Sequence, residues 1–142
     1  METYDTNETA ARLRRSVTRL SRRLRQSALG GISPAQASML SSVEALVRPT
    51  LGELAAREQI QPPSVTRLVR TLEQAGFVEL VPDSLDRRAT RVVLSAHGKK
   101  ELTTIRRRKT EFLETQLRAL PIVEQARAAE LADLLEHLLE IQ

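Results

Sequence analysis

Hydroxyl and guanidinium side chains gather at two places in the middle of the chain. They are Ser64, Thr66, Arg67, Arg70, Arg87 and Arg88. Such groups hydrogen-bond the base edges and phosphates of duplex DNA, and an acidic neighbour, Asp86, could orient one of the guanidinium groups. The chemistry that these residue types predict is therefore recognition of double-stranded DNA.

Catalytic chemistry has no comparable support in the sequence. There is no Gly-rich phosphate loop, no GxSxG and no pair of histidines at metal-ligand spacing, so we expect no enzyme activity. The chain has no cysteine, which excludes thiolate metal sites and thiol-based sensing. His97 and His137 stand apart, and we assign them to a capping turn and to solvent. We predict no metal site and no cofactor.

The charge of the chain is mildly basic and locally concentrated. Lys and Arg total 22 against 18 Asp and Glu, a net charge of +4. Arginines collect in 12–25, 86–91 and 106–109, whereas acidic residues gather near the C-terminus. Aromatic residues make up only 2%, so the stacking platforms that bind single strands are missing. Duplex DNA is the favoured polyanion.

Capping and turn residues divide the chain into six helices and one hairpin. Ser33 with Gln36, and Thr50 with Glu53, have capping-box spacing, and Gly76 has the position of a helix stop. The predicted helices cover about 6–29, 33–47, 50–57, 61–76, 95–120 and 121–142. β-Formers at 77–82 and 90–95 flank a polar loop and predict the hairpin. The fold class is mainly α with one β-hairpin.

The third and fourth predicted helices have the pattern of a helix-turn-helix. Leu54, Ile60, Val65 and Leu68 fall where two crossed helices meet, and Ala55 is small enough to allow close approach. This segment alone fits an ordinary helical hairpin equally well. The exposed hydroxyls and arginines of the fourth helix favour the DNA-binding interpretation, because an inert solvated face usually carries Glu and Lys.

A hairpin directly after such a helix is the arrangement of a winged helix. Its loop would bring Arg87 and Arg88 toward a minor groove, where the negative potential attracts arginine. Asp86 would orient a guanidinium and rigidify the loop. The alternative is a solvated turn with a local ion pair of at most about 1 kcal/mol.

The terminal helices carry apolar residues that the small helix-turn-helix core cannot cover. We expect them in a dimer interface: Leu13, Val17, Leu131, Leu134, Leu138 and Ile141. Packing within one subunit remains the alternative for any single one of these side chains. A twofold dimer would place two recognition helices at half-sites roughly 10 bp apart.

The order of these elements resembles the MarR (multiple antibiotic resistance regulator) family over nearly the whole chain. The most specific blocks are SVTRLVRTLEQAGFVE (64–79) and DRRATRVVLSAHGKKEL (86–102), which look like that family's recognition helix and wing. The resemblance implies a homodimer that binds a pseudo-palindromic operator and represses transcription until a small molecule or another signal releases it. It also implies that Asp86 and Arg88 form the wing pair.

The expected organisation is one domain over residues 1–142. A winged helix-turn-helix lobe would span about 33–95, and dimerisation helices about 6–29 and 96–142. With no signal peptide or apolar run of about 18 residues, we expect a cytoplasmic protein without a membrane partner. The rival function is a sequence-tolerant architectural DNA-binding protein. The sequence identifies neither the operator nor an effector.

Overall fold

The computed structural model describes residues 3–141. Within that range the chain forms six helices and one two-stranded antiparallel sheet, which confirms the predicted fold class. In chain order the elements are α1 (Thr6–Ala28), α2 (Pro34–Leu46), α3 (Leu51–Glu58), α4 (Pro62–Gln74), β1 (Val78–Pro82), β2 (Thr90–Leu94), α5 (Ala96–Arg118) and α6 (Ile122–Glu140). No helix of residues 3–141 is both long enough and apolar enough to span a membrane.

Both predicted capping boxes are present. The Ser33 hydroxyl accepts the backbone N–H of Gln36 at 3.1 Å, and the Gln36 side chain accepts the N–H of Ser33 at 2.8 Å. Thr50 and Glu53 make the same exchange at 3.1 and 3.4 Å. Each box supplies acceptors for N–H groups that have no partner inside the helix, so the starts of α2 and α3 are fixed locally.

The turn between α3 and α4 depends on a left-handed residue. Gln59 has φ 54°, and its N–H returns to the carbonyl of Ala55, which ends α3 and redirects the chain into α4. Leu54 and Val65 are fully buried at the crossing, and Ala55 and Leu68 pack against them. These are the contacts that the helix-turn-helix pattern predicts.

One apolar core joins the helix-turn-helix, the hairpin and the start of α5. Its buried members are Met39, Leu40, Val43, Leu54, Val65, Val69, Leu72, Phe77, Val78, Val92, Leu94 and Leu102. Because α2, α4, β1 and β2 all contribute to it, α4 and the hairpin belong to a single packed unit. Displacing one element would expose apolar surface on the others.

The hairpin is anchored at both of its ends. Its register runs from Val78 opposite Leu94 to Pro82 opposite Thr90. The N–H of Val92 donates to the carbonyl of Pro49 at 2.8 Å, which attaches β2 to the residues that precede α3. At the other end, Gly98 in the first turn of α5 lies directly against the backbone of Phe77. A Cβ added at Gly98 would be 2.0 Å from the Phe77 carbonyl oxygen. The hairpin is therefore attached to the α2–α3 loop on one side and to the first turn of α5 on the other.

The long helix α5 links this unit to the termini of the chain. Leu102 and Ile105 are buried, and Arg106 donates to Glu44 of α2 at 2.7 Å, a hydrogen bond that lowers the pKa of the Glu44 carboxyl. On the far side, Arg108 Nη1 donates to the carbonyl of Ala28 at the end of α1. Helices α1 and α6 both pack on α5.

Candidate nucleic-acid interface

Helix α4 separates its buried and exposed residues by helical spacing. Val65, Val69 and Leu72 are turned into the core, so Arg67 and Arg70 lie on the opposite face and are exposed. Ser64 and Thr66 are half-buried at the two edges of that face. The four residues of α4 that the sequence predicted as DNA contacts therefore all have solvent access, but only the two arginines are fully exposed.

Hydrogen bonds within α4 leave most of these polar groups available to a ligand. The Thr66 hydroxyl donates to the carbonyl of Pro62 at 3.1 Å and keeps its acceptor lone pairs. Arg67 Nη2 reaches the Ser64 hydroxyl only at 3.5 Å, which is the long limit of a hydrogen bond. Among residues 3–141, neither Arg67 nor Arg70 is in an ion pair. Their guanidinium donors are free for bases or phosphates.

The tip of the wing is a compact hydrogen-bonded loop. The N–H of Ala89 donates to the carbonyl of Asp86 at 3.0 Å, and the N–H of Asp83 donates to the carbonyl of Ala89 at 2.9 Å. Arg87 and Arg88 are exposed on it. This turn places Arg87 and Arg88, which are adjacent in sequence, outside the sheet with their side chains exposed.

Asp86 acts on the backbone of the wing, where an ion pair with a guanidinium was expected. Its Oδ1 accepts the N–H of Arg88 at 3.0 Å, and within the described residues its carboxylate forms no ion pair with either tip arginine. Aspartate commonly makes this bond to a backbone N–H two residues further on, which stabilises a turn. In this structure the Asp86 carboxylate therefore contacts the backbone of the turn and no guanidinium.

Arg91 is a structural residue of the wing that the sequence did not reveal. Its Nη1 donates to the carbonyl of Arg48 at 3.1 Å, and its Nη2 lies 3.2 Å from Asp83 Oδ2. A weaker contact of 3.7 Å joins it to Glu53 of α3. A single guanidinium therefore connects the base of the wing with the α2–α3 loop and α3.

Two interactions at this junction stabilise the charged form of the Asp83 carboxylate. Its carboxylate accepts the N–H of Leu85 at 3.2 Å and faces the Arg91 guanidinium. The backbone hydrogen bond from Leu85 is the larger cause, and the side-chain bond from Arg91 the second, of the lowered pKa of this carboxyl. The charged form is thereby favoured where the wing meets the helix-turn-helix.

The residues expected in a dimer interface lie on the surface of the single chain. Val17, Leu131, Leu134, Leu138 and Ile141 are 45% to 64% exposed, and Leu13 is half-buried. On α6, no residue of the described chain is fully buried. Large apolar side chains at this exposure, repeated along two helices, form surface that association would cover.

The two histidines lie apart in the structure. His97 is in the first turn of α5 and stacks on Phe77 with 4.7 Å between the ring centroids, while His137 is exposed on α6. No group of three or more His, Asp or Glu side chains at metal-binding distance occurs within residues 3–141.

Comparisons with known proteins agree with this architecture. A family model described as the MarR family matches residues 32–90. An uncharacterised HTH-type transcriptional regulator of Mycobacterium bovis is 36% identical over 129 residues, 89% of this chain and 89% of that protein. A Pseudomonas aeruginosa structure described as a transcriptional regulator has a TM-score of 0.84 and 32% identity, covering 99% of this chain and 100% of that one.

A more distant likeness concerns the fold alone. A variant of MepR from Staphylococcus aureus, solved bound to an oligodeoxyribonucleotide, is 22% identical with a TM-score of 0.72, and the match covers 92% of this chain and 97% of that one. All of these proteins are described as transcriptional regulators or as such a regulator's variant, and none as an enzyme. The similarity spans the helix-turn-helix, the wing and the terminal helices together.

Proposed function

This chain belongs to the MarR family of transcriptional regulators. We propose that it is a homodimer that recognises a specific operator in double-stranded DNA and represses transcription there. Residues 33–95 would form the DNA-binding lobe, and residues 6–29 and 96–142 the dimerisation helices. The proposed partners are the operator and a second copy of the chain.

The observation that carries this proposal is the position of the free arginines. Arg67 and Arg70 on α4, and Arg87 and Arg88 on the wing, are exposed on two elements that share one core. Because that core fixes the helix relative to the wing, the two sets of donors would approach one duplex together. Binding would then need little ordering of the protein, which favours affinity.

The proposed roles follow from the chemistry of each group. Ser64, Thr66 and Arg67 would lie in the major groove, where a bidentate arginine selects guanine, and Arg70 would contact base edges or phosphate. Arg88 would enter the adjacent minor groove with Arg87 on the flanking phosphates. Asp86 would set the backbone from which Arg88 projects, through the bond that its carboxylate accepts.

Dimerisation is supported by the exposed apolar side chains of α1 and α6. A twofold dimer would present two α4 helices to successive major grooves, and it would cover Val17, Leu131 and Leu134. A related regulator, MepR, has been solved on an oligodeoxyribonucleotide, which supports DNA as the partner here. For release from the operator we propose a small molecule or another signal, in keeping with the family.

An architectural protein that binds any duplex is the competing function. The mixture of hydroxyl and arginine side chains on α4 favours base reading, because purely electrostatic binders need only positive charge. In a footprinting experiment, a specific regulator would protect only its operator from cleavage, whereas an architectural protein would protect the whole duplex.

The proposal is tested by footprinting the promoter region adjoining the protein's own gene. We expect protection of two half-sites with centres roughly 10 bp apart, related by a pseudo-twofold axis. The variant Arg67→Glu with Arg70→Glu should abolish that protection while remaining folded. Uniform protection along the whole fragment, or none, would contradict the proposal.

A further inference from the structure

Leu85 is the most exposed large apolar residue that the structure describes. It is 95% exposed at the tip of the wing, in the segment 84–88 that is closed by the hydrogen bond from the N–H of Asp83 to the carbonyl of Ala89. Every other residue of this segment is polar or charged. Single exposed leucines are common on protein surfaces, so its exposure alone assigns no role to Leu85.

The proposed dimer contact does not account for this side chain. Most of the other highly exposed large apolar residues lie on α1, on α6 or in the turn between α5 and α6. The contact proposed for those helices includes no residue of the wing. In the proposed complex, the ligand that meets the wing is duplex DNA, and an apolar side chain is stabilised where that contact removes it from water.

The backbone that carries Leu85 is restrained on both sides. The N–H of Leu85 donates to Asp83 Oδ1 at 3.2 Å, and the other oxygen of that carboxylate lies 3.2 Å from the Arg91 guanidinium. Directly after Leu85, the carboxylate of Asp86 accepts the N–H of Arg88. The leucine therefore stands on a turn that two aspartates stabilise, and little ordering of this backbone would be needed when a ligand binds.

Positive charge follows Leu85 in the same segment. Arg87 and Arg88 are exposed, and neither is in an ion pair within residues 3–141. An apolar side chain beside free guanidinium groups matches the minor groove of DNA, which has phosphates along both edges. At A·T pairs the floor of that groove carries no amino group, whereas at G·C pairs the guanine amino group projects from it.

We propose that Leu85 packs on the floor of the minor groove beside Arg88 and selects against guanine there. The proposal rests on the proposed function and adds a residue that determines specificity at the wing. Leucine has no acceptor for the N–H groups of the guanine amino group. Covering that donor leaves it without a hydrogen bond, so a G·C pair under Leu85 is disfavoured relative to A·T.

Selection by Leu85 differs physically from selection by Arg88. The guanidinium is attracted by negative potential, so its contribution to binding falls as the salt concentration rises. Leu85 carries no charge. Removing its side chain should therefore change the preference between base pairs without changing the slope of log affinity against log salt concentration.

The experiment varies the amino group in the minor groove of the operator. A·T, G·C, inosine·C and 2,6-diaminopurine·T pairs are placed in turn at each position that flanks a major-groove half-site. Inosine is guanine without the amino group, and diaminopurine is adenine with one, so the two analogues separate the amino group from the rest of the base pair. Affinity is measured by fluorescence anisotropy at two salt concentrations.

The chains compared are the parent, Leu85→Ala, Leu85→Asn and Leu139→Ala. Leu139 is 86% exposed on α6, so its replacement is a control for losing an exposed leucine outside the wing. The bond from residue 85 to Asp83 uses the backbone N–H, which every variant keeps. Urea unfolding should accordingly give each chain the stability of the parent.

The parent should bind operators without the amino group about tenfold more tightly than operators with it, the effect of one unpaired donor. Leu85→Ala should reduce this ratio to about two and weaken binding to the A·T operator about fivefold, because less apolar surface is covered. Leu85→Asn supplies an amide oxygen that can accept the guanine N–H, so it should bind G·C at least as well as A·T. Leu139→Ala should match the parent.

An amino-group ratio that is the same for Leu85→Ala and the parent would overturn the inference and leave the regulator proposal standing. A salt slope that decreases in Leu85→Ala, as it should in Arg88→Ala, would also overturn it, since the loss would then belong to the arginines. If Leu85→Ala changes self-association in sedimentation but not DNA binding, Leu85 contacts protein and the inference is wrong. Equal binding of promoter and random duplex by the parent would overturn the proposed function itself.

Discussion

The carboxylate of Asp86 accepts the backbone N–H of Arg88 at 3.0 Å, two residues along the tip of the wing. The bond restrains the backbone of the tip at Arg88, and in the described chain the carboxylate forms no ion pair with the Arg88 guanidinium. The Arg88 side chain is exposed, and it is in no ion pair within the described residues. Under the proposed function, the exposed Arg88 would meet DNA from a preset backbone.

Removing the Asp86 side chain should therefore weaken operator binding. Simple electrostatics predicts the reverse, because Asp86→Ala deletes a negative charge near DNA. We expect a loss because the loop must then be ordered during binding. Asp86→Asn keeps an oxygen that can accept the N–H of Arg88, so its affinity should stay closer to that of the parent.

A double-mutant cycle with Arg88→Ala isolates the coupling between the two residues. Arg88→Ala alone should lower affinity and reduce any preference for A·T pairs beside the major-groove half-site, since narrow A·T-rich grooves have the more negative potential. If the two losses simply add, or if Asp86→Ala binds more tightly, Asp86 does not position Arg88.

Arg67 should discriminate between bases. Arg67→Ala is expected to lose about 1–3 kcal/mol of operator binding free energy and to relax the choice at one base pair, as a bidentate contact to guanine would. Binding is measured against a set of singly substituted operators. Arg118→Ala gives the same charge change at the far end of α5, roughly 30 Å from the wing by helix rise, and should have little effect. An equal loss on every operator would reassign Arg67 to phosphate.

The elements of the fold could be predicted because their signals are local. Ser33 with Gln36, and Thr50 with Glu53, lie within one helical turn of each other, so their spacing reports the contact directly. The exposed face of α4 was predictable for the same reason, because the period of Val65, Val69 and Leu72 leaves Arg67 and Arg70 opposite.

The contacts that hold the wing in place could not be predicted from spacing. Arg91 and the carbonyl of Arg48 are 43 residues apart, and they meet only because β2 packs beside the start of α3. The partner of Asp86 was missed for a different reason. The guanidinium of Arg87, that of Arg88 and the backbone N–H of Arg88 are all donors near Asp86 in sequence. The tight turn brings the N–H of Arg88 within hydrogen-bond distance of the carboxylate.

The junction between Asp83 and Arg91 should make stability depend on pH. The pKa of Asp83 is lowered from 3.8, so the carboxylate stabilises the folded chain at neutral pH, and this contribution is lost as the pH falls through the lower folded value. Asp83→Asn should have a lower free energy of unfolding than the parent at pH 7, by a difference that narrows below pH 3.8. Urea unfolding across this range measures it.

Glu79→Gln serves as the comparison for Asp83. Glu79 is exposed on β1, and it has no ion pair within the described residues. Its free-energy difference from the parent should therefore stay small at every pH. If the free-energy difference between Asp83→Asn and the parent is equally small, or does not change with pH, the contact between Asp83 and Arg91 does not stabilise the folded chain.

The close approach at Gly98 should make that position intolerant of any side chain. Gly98→Ala places a Cβ 2.0 Å from the Phe77 carbonyl oxygen, so we expect a destabilisation of about 3 kcal/mol, the upper end for an overpacked site. Gly31→Ala is the matched control, since nothing lies within 4 Å of its added Cβ. Denaturant unfolding compares them. Equal stability of the two variants would mean that β1 and α5 separate easily.

Competition between two duplexes measures whether the protein binds DNA sequence-specifically. The parent protein is titrated onto a duplex from the promoter adjoining its own gene, in the presence of random duplex of the same length at about 0.15 M salt. We predict that the promoter duplex binds at least about 10³-fold more tightly, as specific regulators do. A ratio near one, with an affinity that follows only the salt concentration, would contradict the claim and identify an architectural DNA-binding protein.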